Sequence, residues 1–235
     1  MFHIPNIAPQ DAIKWCNDNG GFVAVILFVA TIILAWIGGL FRFLQQRPRF
    51  VISIVPGPTF ACTYATGEKF NEYDVTRTAF ALYLSISNRG SAAATIVDAR
   101  LGYKWFLASL SWDFVRYVIG WCWLRSTIAI TDFHYVLKSG GAHVYPFLMQ
   151  RSALLANSGD LYLPIGKNAN GVMYFEQRNA WGAAQPRIKD GKALVKIVLI
   201  DSFGKRHSKK FCLPALSLEE ARKYNPSIGT THDEI

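Results

Sequence analysis

From Asn19 to Phe41 the chain carries no charged residue. The run GFVAVILFVATIILAWIGGLF would form roughly 31 Å of helix at ~1.5 Å per residue, about the thickness of a bilayer core. A helix packed in a globular core ordinarily keeps a polar stripe on its outer side. This run has none, so it predicts a single transmembrane α-helix over 21–43. It lacks the marks of a cleaved leader: the apolar run is too long, no A-x-A site follows, and the preceding segment is not basic. Trp15 and Trp36 stand near its two ends, where tryptophan prefers the membrane interface. Residues 1–20 then form a short segment outside the membrane, with an amphipathic stretch, DAIKWCNDNG, leading in.

Flanking charge sets the expected orientation. Upstream, Lys14 is opposed by Asp11 and Asp18; downstream come Arg42, Arg47 and Arg49 with no nearby acid. The positive-inside rule places the remainder of the chain in the cytoplasm, beneath an inner (cytoplasmic) membrane. Cysteine usage agrees with a reducing compartment. Of the four cysteines, Cys62, Cys122 and Cys212 lie in the large domain, where they are scattered, odd in number and without C-x-x-C spacing. If the domain were outside, two of them would be free to pair.

The chain has 235 residues, enough for one sizeable domain beside the helix. From 48 to 214 it reads as short strands divided by frequent turns. RFVISIV and TFACTYA flank Pro56-Gly57-Pro58. Residues 66–76 are polar and read as a loop. In RTAFALYLSISN, Phe80, Leu82, Leu84 and Ile86 fall on one face, with Ala79, Ala81, Tyr83, Ser85 and Ser87 on the other, the period of a half-buried strand. Asn88-Arg89-Gly90 turns the chain into AATIVDARLGY. Later, Gly140-Gly141 predicts a two-residue hairpin that sets Lys138 opposite His143. DLYLPIG and GVMYFEQR follow, then KALVKIVLID and KKFCLP around the turn SFGKRHS. About nine strands result, the pattern of an all-β sandwich. Residues 215–235 form a tail that opens on a short helix, with Ser217 and Glu220 spaced as a capping box.

ALYLSISNRGSAAATIVDARLGY resembles the strand, N-x-G turn, strand pattern of immunoglobulin-like and fibronectin-like domains. KALVKIVLIDSFGKRHSKKF is similar to their terminal hairpin. The Cys…Trp…Cys pattern of antibody-type domains is absent. The whole chain resembles bacterial single-pass membrane proteins. The resemblance implies an immunoglobulin-like sandwich and a binding role, and it carries no site residues.

Residues 105–124, WFLASLSWDFVRYVIGWCWL, interrupt the strand pattern. As a second crossing they would separate strands that must pair. They would also set Asp113 and Arg116 near the bilayer centre at roughly 2.5–3.5 kcal/mol each on insertion scales. Leu107, Leu110, Phe114, Tyr117, Val118, Trp121 and Leu124 recur at helical spacing. The sequence thus predicts an aromatic-rich helical insertion over 104–125. Trp105, Trp112, Phe114, Tyr117, Trp121 and Trp123 are its candidate membrane- or partner-facing residues. Packing of the same segment on the domain's own core stays open as an alternative.

The net charge is +9. Lys205, Arg206, Lys209 and Lys210 crowd one hairpin, and with Arg42, Arg47 and Arg49 they are the candidate membrane-surface cations; a plain solvated turn is the alternative for the hairpin. No nucleic-acid-binding motif is present. His134 and His143 fall roughly 13 Å apart in the expected hairpin, too far to share an ion. Asp201, Ser202 and His207 share one turn without oxyanion donors. Gly166-Lys167 follows Gly159 at the wrong spacing for a phosphate loop, and Asn168 stands where Ser or Thr is needed. Glu68, Glu72, Asp74 and Glu176 are the carboxylates whose meeting the sequence leaves open. No cofactor is expected. The expectation is a membrane-anchored, non-catalytic interaction module, an accessory or scaffold subunit whose partners are the lipid bilayer and a protein or a second copy. A tethered sensor that perturbs the bilayer, or an enzyme of unrecognised type, are the alternatives.

Overall fold

A computed structural model describes residues 9–39, 46–106, 112, 114–125, 133–136, 142–149, 161–182 and 184–229. The chain divides into two compact units, residues 1–46 and 47–235.

The first unit contains α1 (Pro9–Asp18) and α2 (Gly20–Ile37). None of the residues of α2 is buried. It is one helix long and apolar enough to cross a membrane. Gly39 takes a left-handed φ of 77° just past the helix, a conformation that glycine adopts without strain. Arg42 lies outside the described residues.

The second unit is mostly β, and its described strands form two larger sheets and a separate two-stranded one. The first contains β1 (Phe50–Ile54), β2 (Phe60–Phe70), β3 (Tyr73–Asn88) and β9 (Asn168–Trp181). β3 lies at its centre. β1 pairs with the end of β3 and β2 with its beginning, along one edge, while β9 runs along the other. The second sheet contains β4 (Ala94–Tyr103), β5 (Cys122–Leu124), β8 (Leu161–Leu163), β10 (Ile188–Lys189), β11 (Lys192–Asp201) and β12 (Arg206–Pro214). β11 pairs antiparallel with β4 and with β12. β6 (Phe133–Val136) and β7 (Ala142–Tyr145) make a separate hairpin.

One apolar cluster joins the two sheets. Phe80, Leu82, Leu84 and Ile86 of β3 meet Ile96, Leu101 and Tyr103 of β4 and Val195, Ile197 and Leu199 of β11, all at 0% exposure. Each such aliphatic or aromatic side chain contributes about 1.5–3 kcal/mol through its burial. The alternation expected for β3 is therefore the core register, but the strand is not half-buried. Ala79 and Ala81 on its other face are buried too. A second cluster covers them, in which Phe133 of β6 and Ala221 of α3 (Leu218–Arg222) meet Phe60, Cys62 and Tyr174. The capping box of α3 forms as expected: the Glu220 backbone N–H donates to Ser217 Oγ, and the Ser217 N–H donates to the Glu220 carboxylate.

Several local expectations are corrected. Twelve strands are described rather than about nine. Residues 66–76 are not a loop. β2 and β3 continue through them to a hairpin turn at Asn71 and Glu72, whose φ values of 44° and 71° give the left-handed pair that a tight turn uses. Asn88-Arg89-Gly90 leads into the next strand, as expected, and carries the chain from the first sheet to the second. The Asn88 side chain holds this crossing together. Its carboxamide oxygen accepts from the Arg49 and Gly90 N–H groups, and its nitrogen donates to the carbonyls of Ala92 and Leu163.

The β6–β7 register also differs. His143 faces Tyr135, and His134 faces Val144. Lys138 and Gly140-Gly141 lie outside the described residues. Adjacent pairs point to opposite faces of a strand ribbon, so the two histidines diverge. The insertion is not one helix. It holds a π-helix over Phe114–Ile119 and ends in β5, which pairs with β4 from Tyr103↔Cys122 to Leu101↔Leu124. The Gly120 N–H donates to the Val115 carbonyl, five residues back. A Cβ at Gly120 would fall on the Arg116 carbonyl oxygen, so only glycine closes this turn. In β5 the period of two overrides the helical spacing, because Cys122 and Leu124 pack on the core while Trp123 points away from it.

A candidate basic and aromatic docking face

Alternation along β11 turns Leu194, Lys196, Val198 and Ile200 away from the core. Antiparallel pairing then fixes their neighbours. Lys196 lies between Lys210 of β12 and Gly102 of β4, and Gly102 is followed by Trp123 of β5. The next row is Ser208, Val198 and Arg100; the row after it is Arg206, Ile200 and Asp98. Strands lie about 4.8 Å apart, so these side chains share a face roughly 15 Å wide across four strands.

Two tryptophans stand on this face. The six-membered ring of Trp123 lies over Gly102, where an added Cβ would come within 2.9–3.1 Å of it. Glycine inside a strand often marks such a close approach. Lys196 Nζ is 5.9 Å from the Trp123 ring. Trp121 is 6.3 Å from Trp123 and has Lys104 Nζ at 4.4 Å and Lys210 Nζ at 5.8 Å, distances at which cation and ring attract. Lys104 Nζ also donates to the carbonyls of Ile119 and Gly120, which closes the end of the π-helix. Burial lowers the Lys104 pKa, and the Lys210 charge lowers it further.

Charge on this face is one-sided. Arg100, Lys104, Arg125, Lys196, Arg206 and Lys210 are met by Asp98, whose carboxylate accepts from Arg100 Nε at 2.8 Å. Among the described residues no carboxylate lies within ion-pair distance of Arg125, Lys196, Arg206 or Lys210. A groove of about 270 Å³ opens between them. Val198, Ile200 and Ser208 form its base; Arg100, Arg125, Lys196, Arg206 and Trp123 surround it. Val198 points outward yet is only 8% exposed, so the stems of its long neighbours cover it.

The expected site residues divide among three places. Trp121 and Trp123 stand on the basic face. Trp112 is 87% exposed, and Phe106, Val115 and Ile119 of the same insertion are exposed with it. Trp105 instead packs against the main core, and its indole N–H donates to the Tyr103 hydroxyl at 2.9 Å. Phe114 and Tyr117 give backbone to the π-helix, and their side chains lie outside the described residues. Strand alternation splits the basic hairpin. Arg206 and Lys210 join the face, Lys205 sits in the turn, and Lys209 lies on the other side, 5.6 Å from the Phe211 ring. Arg47 and Arg49 are exposed and anchor their backbone N–H groups to Ser91 and Asn88. Arg100, Lys104, Arg125 and Lys196 are additions. Their signal was present as the period of two in Arg100-x-Gly102-x-Lys104 and Lys192-x-x-x-Lys196, but only the pairing shows that these runs are neighbours.

The Asp201–His207 pair is buried. His207 Nε2 lies 2.8 Å from Asp201 Oδ2, and the Phe50 backbone N–H donates to His207 Nδ1 at 3.3 Å. Nδ1 accepts, so Nε2 carries the proton and donates to the carboxylate. Asp201 Oδ1 accepts further from the N–H groups of Phe203 and Lys205. Both ring nitrogens are engaged, and the geometry is that of a tie between β1 and β12. Glu68, Glu72 and Asp74 are exposed around the β2–β3 turn, whereas Glu176 lies on β9 and accepts from the Tyr64 hydroxyl at 3.3 Å. No group of three or more metal-ligating side chains occurs among the described residues.

No family model and no curated protein matches the sequence. Among solved structures, the chain is similar to one described as "AvmM Catalyzes Macrocyclization in Alchivemycin A Biosynthesis", at 13% identity over 72% of this chain and 90% of that chain. The TM-score is 0.25, too low to inform either fold or function.

Proposed function

We propose that the chain is a membrane-anchored, non-catalytic interaction module, an accessory or scaffold subunit of a membrane-associated complex. In this reading α2 is a single span of the inner membrane, and the second unit is an immunoglobulin-like β-sandwich on the cytoplasmic side. The outer face of its second sheet is the docking surface, and its occupant is an acidic surface of a partner protein. The observation that carries the reading is the gathering of six cations and two tryptophans on one sheet face against a single carboxylate. Arginine and tryptophan are the residue types most enriched where binding energy concentrates. A one-signed face of this kind steers an oppositely charged partner and fixes its orientation. Phe106, Trp112, Val115 and Ile119 are exposed apolar residues of the same insertion that carries Trp121 and Trp123.

Affinity purification of the tagged full chain from its own membranes in mild detergent tests this. A stoichiometric partner is expected. Its retention should fall with the double substitution Lys196→Glu, Lys210→Glu and with rising salt. Recovery of the chain as a lone monomer from native membranes would overturn the reading.

A further inference from the structure

We propose that the groove on the second sheet binds the phosphomonoester group of a small organic ligand, with the dianion held by Arg100, Arg125 and Arg206. The inference rests on the basic face assigned above as the docking surface, and it adds a chemical class of ligand at its centre. Four cations border the groove and one of them, Arg100, is shared with Asp98. A single carboxylate would leave most of that charge unanswered; a dianion answers two of the three charges that Asp98 leaves. The planar guanidinium fork donates two parallel N–H groups, a geometry that suits phosphate oxygens. Arg100 and Arg206 lie on strands either side of β11, in adjacent rows, so their Cα atoms stand roughly 12 Å apart on the diagonal. Two long side chains rooted at that separation can reach a phosphate held between them.

The rest of the groove limits the remainder of the ligand. About 270 Å³ lies below the usual range for drug-sized pockets, so the ligand is a phosphate with a short organic body. Ile200 and the Trp123 ring give that body an apolar surface, and the Ser208 hydroxyl is the neutral polar group among the lining residues. Gly102 is what allows the Trp123 ring to lie in place as a wall, since a Cβ there would press within 2.9 Å of it. A phosphomonoester of this size occurs in two forms, as a soluble phosphate ester or as the headgroup of a lipid such as phosphatidic acid.

The test uses the full chain in neutral detergent, titrated calorimetrically with glycerol phosphate. In parallel, the reconstituted chain in neutral-lipid particles is tested for capture of vesicles with and without phosphatidic acid. Saturable binding of glycerol phosphate is expected, weakened roughly tenfold or more by Arg206→Gln or Arg125→Gln. Lys189→Gln, outside the groove, should leave it unchanged. Capture of phosphatidic acid vesicles without glycerol phosphate binding, lost in the same two variants, would also uphold the site and assign it to a lipid. Binding to neither, or equal loss in Lys189→Gln, would overturn it. Unchanged near-ultraviolet circular dichroism separates loss of the site from loss of the fold. Failure here with partner co-purification intact overturns the phosphate site alone; the reverse result overturns the partner reading alone.

Discussion

His207→Ala should be among the most damaging single changes in the domain, and its size follows from the contacts. The imidazole is 7% exposed and Asp201 is 1% exposed, so water cannot replace what is removed. Two polar groups lose their partner at once. Asp201 Oδ2 loses its donor, and the Phe50 N–H loses its acceptor. The ring contact with Phe50, 4.8 Å between centroids, is lost as well. A buried polar group left without its partner costs ~1–3 kcal/mol, and more when it is a carboxylate. Asp201 keeps the N–H groups of Phe203 and Lys205 on its other oxygen, so the two orphaned groups together set the loss at ~3 kcal/mol. For a domain of this size each kcal/mol moves the midpoint by ~2–4 °C, so thermal unfolding of the full chain should fall by ~6–12 °C. His207→Gln should lose less, because its amide can still donate to Asp201. A double-mutant cycle with Asp201→Asn should return a coupling of at least ~1 kcal/mol. A fall below ~2–4 °C for His207→Ala, or no coupling, would refute the argument that this pair ties β1 to β12.

Gly171→Ala should destabilise the domain by ~1–3 kcal/mol, measured by urea titration, because the added Cβ meets the Leu148 backbone nitrogen at 2.6 Å and its Cα at 2.7 Å. Cys62 should resist a thiol reagent in the native state at pH 8 while the exposed Cys212 reacts, which mass spectrometry of labelled peptides reads directly. Burial pushes the Cys62 thiol up to about 11, against a lowering by Arg222. The unfolded chain therefore loses that proton first. Stability from this group is complete below about pH 8.5 and declines towards pH 11, by at most ~1.4 kcal/mol per pH unit. Cys62→Ala should remove that alkaline component from paired melts at pH 8 and pH 10.

Local periodicity was enough to assign β3, because Phe80, Leu82, Leu84 and Ile86 alternate without interruption and all point into one core. It was also enough for α3, where Ser217 and Glu220 are three residues apart and bond reciprocally. It failed at residues 66–76, where the strands are polar because they extend beyond the core, and the turn is carried by Asn71 and Glu72 rather than by glycine. It failed at 104–125 for the opposite reason. An apolar, aromatic stretch satisfies helical and strand spacing alike, and pairing of Cys122 with Tyr103 decides for the strand. The candidate site was half legible. Trp121, Trp123, Arg206 and Lys210 stood out in the sequence. Arg100 and Lys196 did not, since they are separated from those residues along the chain and meet only through the register of β4, β11 and β12.

The order in which the chain is made follows from the same register. The apolar helix α2 is complete at Ile37, but β4 has no full partner until β11 ends at Asp201. Roughly 160 residues separate the two events, on the order of ten to thirty seconds of synthesis. Within that interval β4, once made, keeps an edge unpaired and β3 waits for β9, while the helix is already complete. Completion of α2 thus precedes folding of the β unit, and the open edges in between are the points at which a chaperone has something to hold.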